Sequence, residues 1–222
     1  MNDSPNKLAV GDTLDLEILR LAQGGDAIGN APDGRVVFVR GAAPGDVVRI
    51  RLNKVKRRFL KGQVLDVIQR GSALKPFCAL HLECGGCPWQ TASPQDRHDA
   101  LQSHLTHALR PMVDASSSLE STVVVEERVA WRSTARLHWN HGVLGYYRVG
   151  SQRVVDVAEC PVLREPLGSM LAEVRDGLLG HLPQRGTLRL TGSPEQPSGT
   201  VAIWPEGRGD PDLDTQIKAW VE

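Results

Sequence analysis

The four cysteines constrain this chain more than any other feature. Three fall within ten residues, in the stretch Cys78-Ala-Leu-His-Leu-Glu-Cys84-Gly85-Gly86-Cys87-Pro-Trp-Gln90, and 72 residues lie between Cys87 and Cys160; the 222-residue chain has no others. Three thiols cannot complete a tetrahedral metal site, so a metal on the trio needs a fourth ligand from elsewhere, and Cys160 is the one thiol left to supply it. Such a centre would tie two distant stretches to one point. Three clustered cysteines plus one remote resemble iron–sulfur ligation more than paired zinc knuckles, where two Cys-x2-Cys units are expected; zinc stays open as the alternative. Gly85 and Gly86 allow the backbone to wrap closely and permit positive φ, and Pro161 removes an amide donor directly after Cys160.

Other uses of these thiols are weaker. The N-terminus is polar, has no apolar core of a signal peptide, and leads into no apolar run long enough to span a bilayer, so the expected compartment is the cytoplasm. In a reducing compartment metal ligation is expected over disulfides. Redox chemistry at Cys84-Gly-Gly-Cys87 would need a βαβ context, whereas the preceding sequence reads as strands and turns.

Charge divides the chain although its formal net charge is zero. Residues 1–70 carry 12 Lys/Arg against 8 Asp/Glu, leaving 14 against 18 for the rest, so the front is basic and the back acidic. Within that front, alternating apolar runs at Thr13 to Leu21, Val36 to Arg40, Val47 to Asn53 and Gly62 to Ile68 are separated by turn residues, the pattern of a small closed barrel of the OB kind. Gly24 to Gly29 runs G-G-x-x-x-G between strands and leads into no helix; a hairpin turn is expected there and not a phosphate loop. Between the last two strands, Arg49 to Lys61 holds seven basic residues and no acid in 13. Lys54, Lys56, Arg57, Arg58 and Lys61 are the candidate RNA contacts, with Phe59 as a stacking face; a solvated barrel rim is the bland alternative.

Beyond the trio, Ser93 and Pro94 open a helix that Pro111 ends, and Leu101, Leu105 and Leu109 predict one buried face. His98, His104 and His107 on it are expected at the surface. Strands are expected at Thr122 to Glu126, Trp131 to Trp139, Gly142 to Arg148 and Arg153 to Val157, then a helix over Glu165 to Leu179, strands Thr187 to Thr191 and Thr200 to Trp204, and an acidic helix from Asp212. Alternation in the second of these strands sets Arg132, Thr134, Arg136 and His138 opposite Trp131, Ala135 and Trp139. Arg132 and Arg136 then face RNA, a charged cluster, or solvent as an ordinary polar sheet face. The Gly207-Arg-Gly209 stretch is a poor dinucleotide-type turn and reads as a surface turn.

These residues together resemble the iron–sulfur RNA uridine carbon-5 methyltransferases. The resemblance rests on Val36-Val-Phe-Val-Arg-Gly-Ala-Ala-Pro44-Gly45-Asp46-Val, on Cys78, Cys84-Gly85-Gly86-Cys87 and Gln90, on Trp131-Arg132-Ser-Thr-Ala-Arg136-Leu, and on Gly145-Tyr-Tyr followed by Val154-Val-Asp156-Val-Ala-Glu-Cys160-Pro-Val-Leu163. It implies an α+β chain: an OB-like TRAM barrel over residues 10–70, then a mixed α/β central domain over 71–222 carrying a 4Fe–4S cluster on Cys78, Cys84, Cys87 and Cys160. It also implies ribosomal or transfer RNA as partner and S-adenosylmethionine as methyl donor in a full-length enzyme. The family's reaction needs a cysteine nucleophile, and with four thiols on the cluster none is left; the expectation is a truncated enzyme or a stand-alone RNA-binding module.

Overall fold

The computed structural model describes residues 8–112, 128–193, 195–196 and 198–206. The expected strand at Thr122 to Glu126, the Gly207 to Gly209 turn and the helix from Asp212 lie outside these residues. The chain divides into two compact units, Met1–Pro76 with Pro88–Glu126 and Phe77–Cys87 with Glu127–Glu222. The cysteine trio therefore belongs to the second unit, while the helix after it belongs with the first.

The first unit is a curled six-stranded sheet built from β1 (Thr13–Glu17), β2 (Arg20–Leu21), β3 (Ala27–Asn30), β4 (Val36–Arg40), β5 (Val47–Val55) and β6 (Phe59–Gln69), in the order β1-β5-β6-β4-β3-β2. β4 and β6 run parallel, and the other pairs antiparallel. The first strand changes partner midway. β1 pairs with β5, then the Ile18 amide donates to Asp46 O at 2.8 Å, the Leu19 amide donates to Ile28 O at 2.8 Å, and β2 pairs with β3. One bent strand thus bonds both ends of the order and removes the open edges. Alternation points Leu16, Ile18, Val37, Val39, Val48, Ile50, Leu52 and Leu60 inward, all of them buried. The hairpin turn expected in Gly24 to Gly29 occupies its start, with Gly25 at φ 89°; the segment's end is β3, a strand too short to show a period of two in sequence.

Asp46 is the polar keystone of this unit. Its side chain is fully buried, yet Oδ2 accepts from the Ala43 amide at 3.0 Å and Oδ1 from the Gly71 amide at 2.9 Å. Gly71 passes so close to Gly45 that a Cβ would stand 2.4 Å from the Gly45 carbonyl carbon. One carboxylate therefore closes the Ala43–Asp46 turn and clamps the chain as it leaves β6.

α1 (Pro94–Leu109) begins at the expected place: Ser93 caps it, Ser93 and Asp96 form a reciprocal capping box, and Pro94 occupies the first turn. Its packing face differs from the leucine stripe. Ala100 is the buried residue and joins the barrel core, and the His104 ring lies 5.9 Å from that of Trp89, whereas Leu101 and Leu105 are 43% and 37% exposed. A small residue at the contact lets helix and barrel backbones approach closely, which outweighs the apolar count on the neighbouring stripe.

The second unit is an antiparallel sheet in the order β11-β10-β7-β8-β9, with β7 (Thr134–Asn140), β8 (Val143–Tyr147), β9 (Val154–Asp156), β10 (Arg185–Gly192) and β11 (Gly199–Pro205). α2 (Leu167–Glu173) continues through a π-helical turn at Val174–Leu178 and a 3-10 turn at Leu179–His181. Leu167, Leu171, Val174 and Leu178 from this segment cover Ala135, Leu137, Trp139, Leu144, Leu188 and Leu190 on one sheet face. Trp139 is held by an indole N–H donated to Pro183 O at 2.6 Å. Trp131 does not share the buried face of Ala135 and Trp139: it precedes β7 and is 48% exposed.

Replacing Asp46 by Ala leaves two amides without acceptors in a site closed to water. The expected cost is about 3 kcal/mol, read as a lowered midpoint in urea unfolding; Asp46→Asn, which keeps one acceptor oxygen, falls between the variant and the parent chain.

Candidate cluster site and nucleic-acid interface

The cysteine loop is sewn onto the end of β8. The Gly85 amide donates to Tyr147 O at 2.9 Å, the Val149 amide to Glu83 O at 3.1 Å, and Cys84 and Arg148 form an isolated antiparallel bridge. Within the loop, the Cys84 amide donates to Leu80 O at 2.8 Å, which turns the chain back after Cys78. Gly85 and Gly86 do not have positive φ, contrary to expectation. Close approach is what requires Gly85, where a Cβ would lie 2.9 Å from Tyr147 O; one on Gly86 would make ordinary contacts, 3.4 Å from Cys84 Sγ and 3.9 Å from the Tyr146 ring.

Cys160 reaches the same neighbourhood from the other side. The Ala130 amide donates to Pro161 O at 2.8 Å, the Arg132 amide to Val162 O at 2.8 Å, and the Leu163 amide to Cys160 O at 3.0 Å. Burial pushes the Cys87 thiol up to about 11; the Arg132 guanidinium opposes this, and the thiols of Cys160, Cys84 and Cys78 add to it. The other three thiols therefore all lie within electrostatic reach of Cys87. All four are half-buried and none is in a disulfide. The Gly86 amide donates to Cys84 Sγ at 3.3 Å, the kind of N–H to sulfur bond that steadies a thiolate.

Among the described residues no three His, Cys, Asp or Glu side chains stand close enough together to hold a metal ion. The chemistry of the donors, four half-buried thiols, is that of iron–sulfur or zinc ligands. Beside them the Tyr146 hydroxyl is buried, and its proton is held more tightly than usual, first by burial and then by Cys160, with Arg132 opposing.

Arg132 and Arg136 part company. Arg132 lies outside β7, bridges Leu163, stacks 4.9 Å from the Trp131 ring and acts electrostatically on Cys87 and Tyr146. It is thus the charge beside the thiols. Arg136 stands exposed on the sheet face away from α2. Tyr146 and the charge relation of Arg132 to Cys87 were invisible in sequence, since alternation alone puts Arg132 on the face of Arg136.

The basic run forms the β5–β6 hairpin. Its turn is closed by the Lys56 amide donating to Phe59 O at 2.9 Å and braced by Arg35 Nη1 donating to Lys56 O at 2.9 Å, with Arg35 itself held by Asp33 at 2.6 Å. Lys54, Lys56, Arg57 and Arg58 are exposed. Among the described residues no carboxylate engages them. Two cations of the run are already paired: Arg49 with Asp15 at 2.8 Å, which holds the Asp15 carboxyl below its usual range, and Lys61 with Asp26 at 3.3 Å. Phe59 is half-buried and packs edge-on to Phe38 with centroids 5.8 Å apart, so it supports the hairpin base and offers little free face. His98 bonds Asp99 at 3.1 Å, and His107 is exposed.

A TRAM domain model matches residues 7–65. An uncharacterised RNA methyltransferase of Thermosynechococcus vestitus is 33% identical over 174 residues, covering 76% of this chain and 38% of its own length. One from Synechocystis is 30% identical over 229 residues, covering 96% of this chain and 49% of its own. A 23S rRNA (uracil(1939)-C(5))-methyltransferase of Halomonas elongata is 31% identical over 172 residues, covering 73% of this chain and 35% of its own. The crystal structure of Pyrococcus abyssi tRNA (uracil-54, C5)-methyltransferase in complex with S-adenosyl-L-homocysteine shares the fold at a TM-score of 0.58 and 18% identity, over 90% of this chain and 48% of that one. The chain spans less than half the length of the curated relatives it matches. Its TRAM barrel and its similarity to RNA methyltransferases across most of its length place it in the TRAM-domain RNA uracil-C5 methyltransferase family.

Proposed function

We propose that this chain is the RNA-recognising, 4Fe–4S-bearing portion of an S-adenosylmethionine-dependent enzyme that methylates carbon 5 of a uridine in ribosomal or transfer RNA. The observation that carries the reading is the convergence of Cys78, Cys84, Cys87 and Cys160 in one unit, built by backbone bonds to β8 on one side and to residues 130–132 on the other. When bound, the cluster supplies a rigid multi-point anchor and a fixed local charge. Residues of the chain do the rest. Gly85 keeps the loop tight against β8, Arg132 offsets the negative charge that four thiolates bring, and the burial of Tyr146 keeps the site partly dry.

With all four cysteines allotted to the cluster, the nucleophile that attacks carbon 6 of uracil and the cofactor site belong outside these 222 residues. RNA recognition falls to the hairpin tip. A braced turn carrying the exposed cations Lys54, Lys56, Arg57 and Arg58 neutralises phosphates without reading bases, so it sets position on the RNA while sequence choice is made elsewhere.

Two measurements test the pieces. Replacing Lys54, Lys56, Arg57 and Arg58 together by Ala weakens binding to a structured RNA and lowers the slope of log affinity against log salt by up to about 3, at about 0.7 to 0.9 for each phosphate no longer neutralised. An unchanged slope makes the hairpin an ordinary solvated rim. Gly85→Ala drives a methyl into Tyr147 O and is expected to cost about 1–3 kcal/mol in thermal unfolding; Gly24→Ala, at a glycine with open space around it and, like Gly85, no positive φ, serves as the control for adding a methyl without a clash.

A further inference from the structure

The five-stranded sheet buries one face under α2 and leaves the other open among the described residues. That open face is neither neutral nor balanced. Arg136 on β7 and Arg189 on β10 stand directly opposite each other in the antiparallel register, both exposed. Like charges directly opposite destabilise a strand pair, and neither guanidinium has a carboxylate partner among the described residues. The contact of Arg189 with the Trp204 ring gives folding a reason for that cation, and Arg136 has no such partner among the described residues.

Aromatic faces flank the arginines. On one side the His138 ring stacks on Tyr147, centroids 3.8 Å apart and planes within 11°, with His138 Nδ1 at 3.0 Å from Thr187 Oγ1. On the other side Trp204 of the edge strand β11 is 50% exposed, and the Arg189 guanidinium lies 5.8 Å from its ring. From β11 to β8 the face is three inter-strand spacings wide, about 14 Å. Two acids among the described residues come to this face: Glu206, which acts on His138 against the stronger influence of burial and Arg136, and Asp156 at the end of β9, which is already paired with Arg175 at 2.7 Å.

We propose that this sheet face is a platform for single-stranded RNA, on which Arg136 and Arg189 take backbone phosphates and Trp204 stacks a base, with the His138–Tyr147 pair as the far edge. The inference rests on the RNA reading above and adds a second, chemically distinct contact surface to the hairpin tip. Paired guanidiniums flanked by exposed rings suit a strand whose phosphates and bases alternate, since phosphates relieve the repulsion between the arginines and any base presents a π-face. An acidic protein segment would satisfy the arginines but would leave Trp204 without a stacking partner.

The test uses the whole 222-residue chain and a short uridine-rich single-stranded RNA, with affinity measured across a salt series for the parent chain, the hairpin quadruple variant, Arg136→Gln/Arg189→Gln, Trp204→Ala and Trp204→Phe. The double arginine variant is expected to lose about fivefold or more in affinity and to lower the salt slope by about 1.4 if each arginine meets one phosphate. Its melting temperature should hold or rise, since a repulsive pair has gone. Trp204→Ala is expected to lose about fivefold or more at an unchanged salt slope, and Trp204→Phe to recover most of that loss. If the hairpin variant weakens binding while the arginine and tryptophan variants bind like the parent, the platform is overturned and the RNA reading stands. If the parent chain binds no RNA at any salt, both fall together. Loss of affinity in the arginine variant with Trp204→Ala unaffected overturns the stacking platform, leaving a purely ionic face.

Discussion

The second unit depends on the backbone stitching between the cysteine loop and the end of β8. The loop packs Leu80 and Cys84 against the core of its unit, and the Gly85 and Val149 amides and the Cys84–Arg148 bridge fix its register on β8. Those bonds are possible because Gly85 has no side chain to meet Tyr147 O. Once the loop is seated, Gly86 lies beside the Tyr146 ring, and the turn at Cys160, held by residues 130–132, brings the fourth thiol to Tyr146. The core of Leu137, Leu144, Leu171 and Leu188 beneath then serves as the rigid floor of the site.

Electrostatics follow from the same placement. Burial makes the Cys87 thiolate costly, and three neighbouring thiols make it costlier; Arg132 is the counterweight, drawn out of β7 by its bridge to Leu163. A group that binds thiolates offsets that cost, whereas the unliganded Cys87 thiol is held protonated to higher pH. In the first unit the deeply buried Asp46 carboxylate is satisfied by backbone amides and by Arg70 at 3.6 Å, and the exposed cations are placed on a hairpin tip where water solvates them.

Much of this was legible in sequence, and the failures share a cause. Apolar alternation located β4 to the residue and β5, β6, β8 and β10 within a few residues, because a period of two is strong in half-buried strands. Ser93 and Pro94 marked the helix start because capping is local chemistry. The leucine stripe of α1 misled, since burial is decided by what the helix packs on, and there Ala100 makes the contact. Arg132 misled for a related reason: alternation presumes a continuous strand, and the chain bridges to Leu163 before β7 begins. The cysteines were read from spacing, while Tyr146 and the cross-strand Arg136–Arg189 pair required the register of strands far apart in sequence.

The central claim is that four cysteines, three on a stitched loop and one remote, hold one iron–sulfur cluster. The most direct measurement is iron and acid-labile sulfide per chain after strictly anaerobic purification, with the visible absorption spectrum taken on the same sample. The account predicts a brown protein with about four iron and four sulfide per chain, and loss of both in Cys160→Ser. One zinc per chain without sulfide, or iron and sulfide retained undiminished in Cys160→Ser, would contradict it.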